Sequence, residues 1–206
     1  MASIKPFTWI KVLVFALSLI PAARLVAGIF TGGLGANPVE TITHTTGTFA
    51  LVFLMLTLTV TPLRRITGYA SLIRLRRMLG LFAFFYTCLH LSTFVVLDHF
   101  FDPAAIMQDV VKRPYITAGT VGFWLMVPLA VTSTAGWIRR LGGRRWQRLH
   151  RLVYFAAIAG VVHFLWLVKA DLREPLIYAS VLAVLLGYRI AVWRNAPWAK
   201  KRAARA

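Results

Sequence analysis

Six apolar segments, each about as long as a bilayer crossing, constrain this sequence more than any other feature. A helix needs roughly 20 mostly apolar residues to cross the hydrocarbon core. Segments near 10–29, 43–62, 79–97, 115–134, 152–168 and 176–193 meet that condition. With no water to bond exposed amides, such segments fold as helices. The expected fold is an all-α membrane protein, a six-transmembrane-helix bundle. The spans fill most of the 206 residues, so a single domain over residues 1–206 is expected. The first apolar run, Val12 to Ile29, is longer than a signal-peptide core and has no convincing cleavage site.

Charge supplies the orientation. The net charge of +18 would suit a nucleic-acid binder, but a mean hydropathy of +0.70 would not. No nucleic-acid role is therefore expected. Most of the Lys and Arg residues fall before span one, between spans two and three, between four and five, and after six. Every acidic residue (Glu40, Asp98, Asp102, Asp109, Asp171 and Glu174) falls on the opposite side. The positive-inside rule then places both termini in the cytoplasm. The basic loops also suit contact with anionic lipid.

Local signals agree. Gly32, Gly33, Gly35, Asn37 and Pro38 break the chain after span one, and Asp102-Pro103 sits in the longest outer loop. Gly142-Gly143 divides the basic loop, and Pro175 suits the first turn of span six. Pro21 and Pro128 predict kinks inside spans. No internal repeat supports an inverted-repeat transporter. A single cysteine, Cys88, excludes a disulfide scaffold, a four-thiolate cluster and a Cys-rich zinc site. Cys88 points away from the His90 face and reads as a small packing residue.

The intramembrane histidines carry the chemistry. Counting from the basic side at 1.5 Å per residue, His90 on span three and His163 on span five both lie roughly 18–20 Å deep. They stand at one depth on helices that run in the same direction. Two imidazoles so placed can hold a haem iron from both sides, which favours electron transfer because no coordination position stays open. The alternative is ordinary hydrogen bonding across helices. No Cys-x-x-Cys-His is present, so such a haem is non-covalent, of b type. Ala83, Thr87 and Phe94 share the His90 face. Ala156, Ala159 and Gly160 lie near the His163 face, where small residues leave room for a flat macrocycle. Arg24 or Arg113 could meet the propionates. His44 lies near the interface, where a histidine is cheap, and His99 beside Asp98 and Asp102 reads as structural.

His150 fits less simply. Thirteen residues turn an ideal helix so that His150 and His163 lie about 140° apart. Level with His150, span three offers Arg76 or Arg77 instead of a histidine. His150 is left as a ligand of a second haem, an alternative ligand of the first, or part of a flavin or quinone site.

Several long motifs carry a family resemblance: Asn37 to Gly47, Arg76 to His90, Lys112 to Gly119, Pro128 to Ser133 and Trp146 to Tyr154. Together they resemble the MsrQ (YedZ) family, haem-binding membrane subunits of the bacterial periplasmic methionine sulfoxide reductase system. That family lies within the ferric-reductase-like transmembrane group, and the resemblance covers residues 10–195. It implies electron transfer from the quinone pool or a cytosolic flavin reductase to a periplasmic molybdenum-containing partner of the MsrP type. It implies haem b, one or two, with His90, His150 and His163 as the haem histidines, and it implies FMN. Arg76, Arg77, Arg144 and Arg145 are candidates for the FMN phosphate. No Gly-rich dinucleotide fingerprint appears, so direct NAD(P)H binding is not expected. The expected mechanism is an electron relay rather than bond-making on a substrate, with the outer aspartates Asp98 to Asp109 available for docking. The rivals are a ferric or cupric reductase, which usually carries cytosolic flavin and nicotinamide domains, and a histidine-relay transporter. No acidic residue lies within a span to support the transporter.

Overall fold

The computed structural model describes residues 6–195. Among these residues the chain forms α1 (Pro6–Thr31), α2 (Pro38–Thr67), α3 (Ile73–Ser92), α4 (Pro103–Lys112), α5 (Pro114–Val131), α6 (Ala135–Leu149), α7 (Leu152–Leu167) and α8 (Arg173–Arg194). A π-helical segment, Thr93–Asp98, prolongs α3. The helices that span are α1, α2, α3, α5 and α8, with α7 as the sixth when counted with α6, from which it bends by 43°.

Local chemistry sets the ends. Asn37 caps α2, its Oδ1 accepting from the Glu40 N–H, and Pro38 opens the first turn. Gly68, at φ 74°, closes α2 by donating its N–H to the Arg64 carbonyl. Asp102 caps α4 through the N–H groups of Ala104 and Ala105.

The bundle is built from two tight pairs, α2 with α3 and α5 with α7, while α1 and α8 pack outside. Phe53 stacks on Tyr86 at 5.4 Å and on Phe82 at 5.6 Å, and Leu58, Ala83 and Ala157 are fully buried beside them. The outside is apolar too: Trp124, Phe155 and Val184 stand 60% or more exposed. A soluble domain does not display such a surface, and a bilayer requires it.

Two of the three intrahelical prolines open places that other helices fill. Pro21 interrupts α1, and the fully buried Tyr86 of α3 inserts its hydroxyl there, donating to the Ser18 carbonyl and accepting from the Ala22 N–H. Pro62 has no N–H for the Leu58 carbonyl of α2, and Arg189 of α8 donates to that carbonyl instead. Pro128 lies within α5.

Three expectations are corrected. The basic loop before span five is the helix α6, broken at Gly142 (φ 70°). Its five arginines suit it to the interface rather than to hydrocarbon. The outer loop holds the helix α4, because Asp102-Pro103 is a cap and first turn rather than a bend. Ala156, Ala159 and Gly160 do not leave room for a ligand: a Cβ on Gly122 of α5 would meet the Ala159 side chain and the backbone of Ala156 and Gly160 within 4 Å. These small residues let α5 and α7 approach closely.

Candidate functional site

His90 of α3 and His163 of α7 are held in the same way by two different helices. His90 Nδ1 lies 3.0 Å from the Thr43 carbonyl of α2. His163 Nδ1 lies 2.7 Å from the Tyr115 carbonyl of α5. A carbonyl only accepts, so Nδ1 carries the proton in each ring and Nε2 keeps the lone pair. A glycine stands four residues beyond each carbonyl: Gly47 on α2 and Gly119 on α5. A Cβ at Gly47 would lie 3.0 Å from His90 Cε1, and one at Gly119 would lie 2.9 Å from His163 Nδ1. Residues i and i+4 share a helix face, so each missing Cβ lets a ring lie flat over the turn whose carbonyl it bonds.

The two rings stand with centroids 5.9 Å apart and planes at 77°. Imidazole–metal bonds run about 2.0–2.1 Å, so rings on opposite sides of one metal ion have centroids roughly 6 Å apart. Among the described residues, no group of three or more His, Cys, Asp or Glu side chains is placed to hold a metal ion. Two imidazoles alone suit a metal that brings its other ligands with it, as haem iron does. Threonines tie the site together: the Thr43 hydroxyl donates to Thr93 Oγ1, and the Thr93 hydroxyl donates to the His90 carbonyl.

His150 lies apart from this pair. Its Nε2 is 3.1 Å from Thr132 Oγ1. The Thr132 hydroxyl donates to the Pro128 carbonyl, so its oxygen accepts from His150, whose Nε2 carries the proton. The His150 ring stacks on Trp146 at 3.9 Å, and Trp146 Nε1 donates to the Thr132 carbonyl. Its charged neighbour is Arg76 of α3.

The remaining candidates scatter. His44 is exposed, 4.0 Å from Glu40. Arg76 is half-buried on α3. Arg77 instead lines a groove of about 500 Å³ between α1 and α3, with Lys11, Arg74 and Phe82. Arg144 and Arg145 are exposed on α6. The structure therefore does not gather the four arginines into one phosphate site. Arg24 is exposed, and Arg113 pairs with Asp109 at 3.3 Å. The Tyr115 hydroxyl, then Asp109, raises the Arg113 guanidinium above its usual range. His99 bonds the Phe94 carbonyl and Asp109, pinning α4 to the end of α3, and Phe94 packs on His99 rather than on the His90 face. Asp102 and Asp109 thus have structural tasks, and only Asp98 of the outer three is exposed without one of those contacts.

Residues 46–161 match the ferric reductase like transmembrane component. The heme-binding subunit MsrQ of the protein-methionine-sulfoxide reductase from Azospira oryzae is 54% identical over 192 residues, 92% of this chain and 82% of that protein. The subunit of the same name from Herminiimonas arsenicoxydans is 53% identical over 89% of this chain and 85% of its own length. That of Bordetella pertussis is 50% identical over 95% and 94%. The chain belongs to the MsrQ family. It is a multi-pass, all-helical member, and the ferric-reductase-like match begins in α2 and ends in α7, two residues before His163.

Reasoning from sequence paired His90 with His163 but missed Gly47, Gly119 and Arg189. The two glycines were visible only as isolated small residues inside spans. Arg189 was visible as a cation inside the last span, a position that asks for a partner.

Proposed function

We propose that this MsrQ-family protein is a haem b electron-transfer subunit, one membrane domain, with His90 and His163 as the two axial ligands. The observation that carries this reading is the pair of rings with centroids 5.9 Å apart, each with Nδ1 on a backbone carbonyl. Bonding one ring nitrogen fixes the tautomer and aims the other nitrogen's lone pair. The curated relatives are named heme-binding subunits of a protein-methionine-sulfoxide reductase. A bound haem b, whose iron His90 and His163 would hold, would supply a one-electron relay. The chain's own residues orient the imidazoles, exclude a third protein ligand and keep the site inside the bilayer.

The basic end then faces the cytoplasm of a bacterial inner membrane, with both termini on that side. Electrons arrive there from the quinone pool or a cytosolic flavin reductase. They leave at the acidic end to a periplasmic molybdenum-containing methionine sulfoxide reductase subunit. FMN is the second cofactor of this reading. Of the four arginines considered for its phosphate, Arg76 is half-buried, whereas Arg77, Arg144 and Arg145 are exposed. His150 is a weaker candidate than His163 for the same iron, because its Nε2 proton is engaged by Thr132.

Oxidised and dithionite-reduced visible spectra of the purified protein test this. A b-type spectrum is expected, lost or strongly weakened in His90→Ala and in His163→Ala. A colourless protein after expression with ample haem would sink the proposal.

A further inference from the structure

His90 is gripped twice, by its ring and by its own carbonyl. The ring donates from Nδ1 to the Thr43 carbonyl at 3.0 Å. The Thr43 hydroxyl donates to Thr93 Oγ1 at 3.1 Å, and the Thr93 hydroxyl donates to the His90 carbonyl at 2.7 Å. These three bonds close a loop between α2 and the end of α3. Thr93 is 4% exposed, so water has little access to its hydroxyl. Thr46, also buried, sends its hydroxyl to the Ile42 carbonyl and sets Oγ1 3.5 Å from the same His90 nitrogen.

A closed loop restrains the ring more than one hydrogen bond does. The outer torsion of a histidine side chain sits in a broad well, so the ring plane swivels unless its partner is fixed. Here the Nδ1 bond ties the ring to Thr43, and the two hydroxyls tie Thr43 back to the backbone of His90 itself. His163 takes its plane from another helix, through the Tyr115 carbonyl at 2.7 Å. The two planes therefore stand crossed, at 77°. Thr57 makes the contrast on α2: it is buried too, but its hydroxyl goes to the Phe53 carbonyl of its own helix. Such back-bonding is ordinary for a helical threonine.

We propose that Thr43 and Thr93 are positioning residues that hold the His90 imidazole crosswise to that of His163. The proposal rests on the haem reading above. An axial imidazole overlaps the iron d orbital that lies perpendicular to its ring plane. Crossed planes engage two such orbitals about equally and leave them close in energy, whereas parallel planes engage one and split them. Close levels give oxidised low-spin iron a strongly anisotropic paramagnetic resonance signal, and split levels give an ordinary rhombic one. Hydrogen bonds to its ligands are among the means by which a protein tunes a haem. The two threonines thus act on the iron through His90 without touching it.

Electron paramagnetic resonance of the oxidised, haem-loaded full chain in detergent tests this. The native protein is expected to give the strongly anisotropic signal. Thr93→Val keeps the side chain's size and removes its hydroxyl, and its signal is expected to broaden or move toward the rhombic form. Thr93→Ser restores the hydroxyl and is expected to restore the native signal, while Thr57→Val leaves it unchanged. A rhombic signal in the native protein, an unchanged one in Thr93→Val, or the same change in Thr57→Val overturns the proposal. Should Thr93→Val not load haem, the haem-free chain gives a second measurement, by nuclear magnetic resonance with nitrogen-15 histidine. Exchange of the His90 Nδ1 proton with water is expected to quicken about fivefold or more in Thr93→Val, with His163 unaffected. Equal exchange in the two chains overturns the grip on His90. Failure of the haem reading shows separately, as a native chain without haem, and the exchange rate still decides the grip.

Discussion

The helices α3 and α7 carry two levels that look alike in sequence and differ in chemistry. Along α3, fourteen residues separate Arg76 from His90, and thirteen separate His150, which closes α6, from His163 within α7. At one level two imidazoles stand 5.9 Å apart, both protonated at Nδ1 by choice of partner. At the other level span three sets Arg76, and His150 carries its proton on Nε2, bonded to Thr132. One scaffold thus presents lone pairs at one depth and positive charge at the other. The difference rests on the residue opposite the histidine and on the first group each ring nitrogen meets.

The largest effect that separates the levels is on haem content. His90→Ala and His163→Ala are expected to lose nearly all bound haem per purified chain, and His150→Ala to keep most of it, measured as the pyridine haemochrome. Equal loss in all three would erase the distinction. Next come the glycines. Gly47→Val and Gly119→Val force a Cβ into a histidine ring, and haem affinity should fall about 10–100-fold, as for other supports of a ligating histidine. Titration of the haem-free protein with haemin reads this, and unchanged affinity would mean the glycines serve helix packing alone.

Smaller changes act on stability. Tyr86→Phe leaves the Ser18 carbonyl and the Ala22 N–H without their bridge, at a cost of about 1–3 kcal/mol in unfolding free energy. A difference within error would show that α1 closes its own ladder. The smallest effect is at the basic level. Thr132→Val removes the acceptor for His150 and should cost about 0.5–1.5 kcal/mol without changing haem content. A shift in the haem spectrum of that variant would tie His150 to the iron.

Much of this was legible in the sequence, for physical reasons. Hydrocarbon thickness fixes span length, so the six spans fall close to the observed helices. Helical rise is constant, so counting inward put His90 and His163 at one depth before any contact was known. The short helices escaped because apolar length says nothing of α4 or of the arginine-rich α6, although Asp102 and Thr134 were present as caps. Gly47 and Gly119 escaped because each is explained by a ring on another helix. Half of the Arg189 signal lay in Pro62, four residues after Leu58; the other half, Arg189 itself, lies 131 residues after Leu58.

The two proline-opened helices bear on how the protein is made. Synthesis delivers α1 and α2 first, and each enters the bilayer with backbone groups that its own turns do not satisfy. Those groups are expensive in hydrocarbon. The gap in α1 closes only when α3 brings Tyr86, and the gap in α2 only when α8 brings Arg189. Assembly in the membrane is therefore ordered by later segments completing earlier ones. A nascent chain halted before α8 holds an α2 that is still a target for quality control.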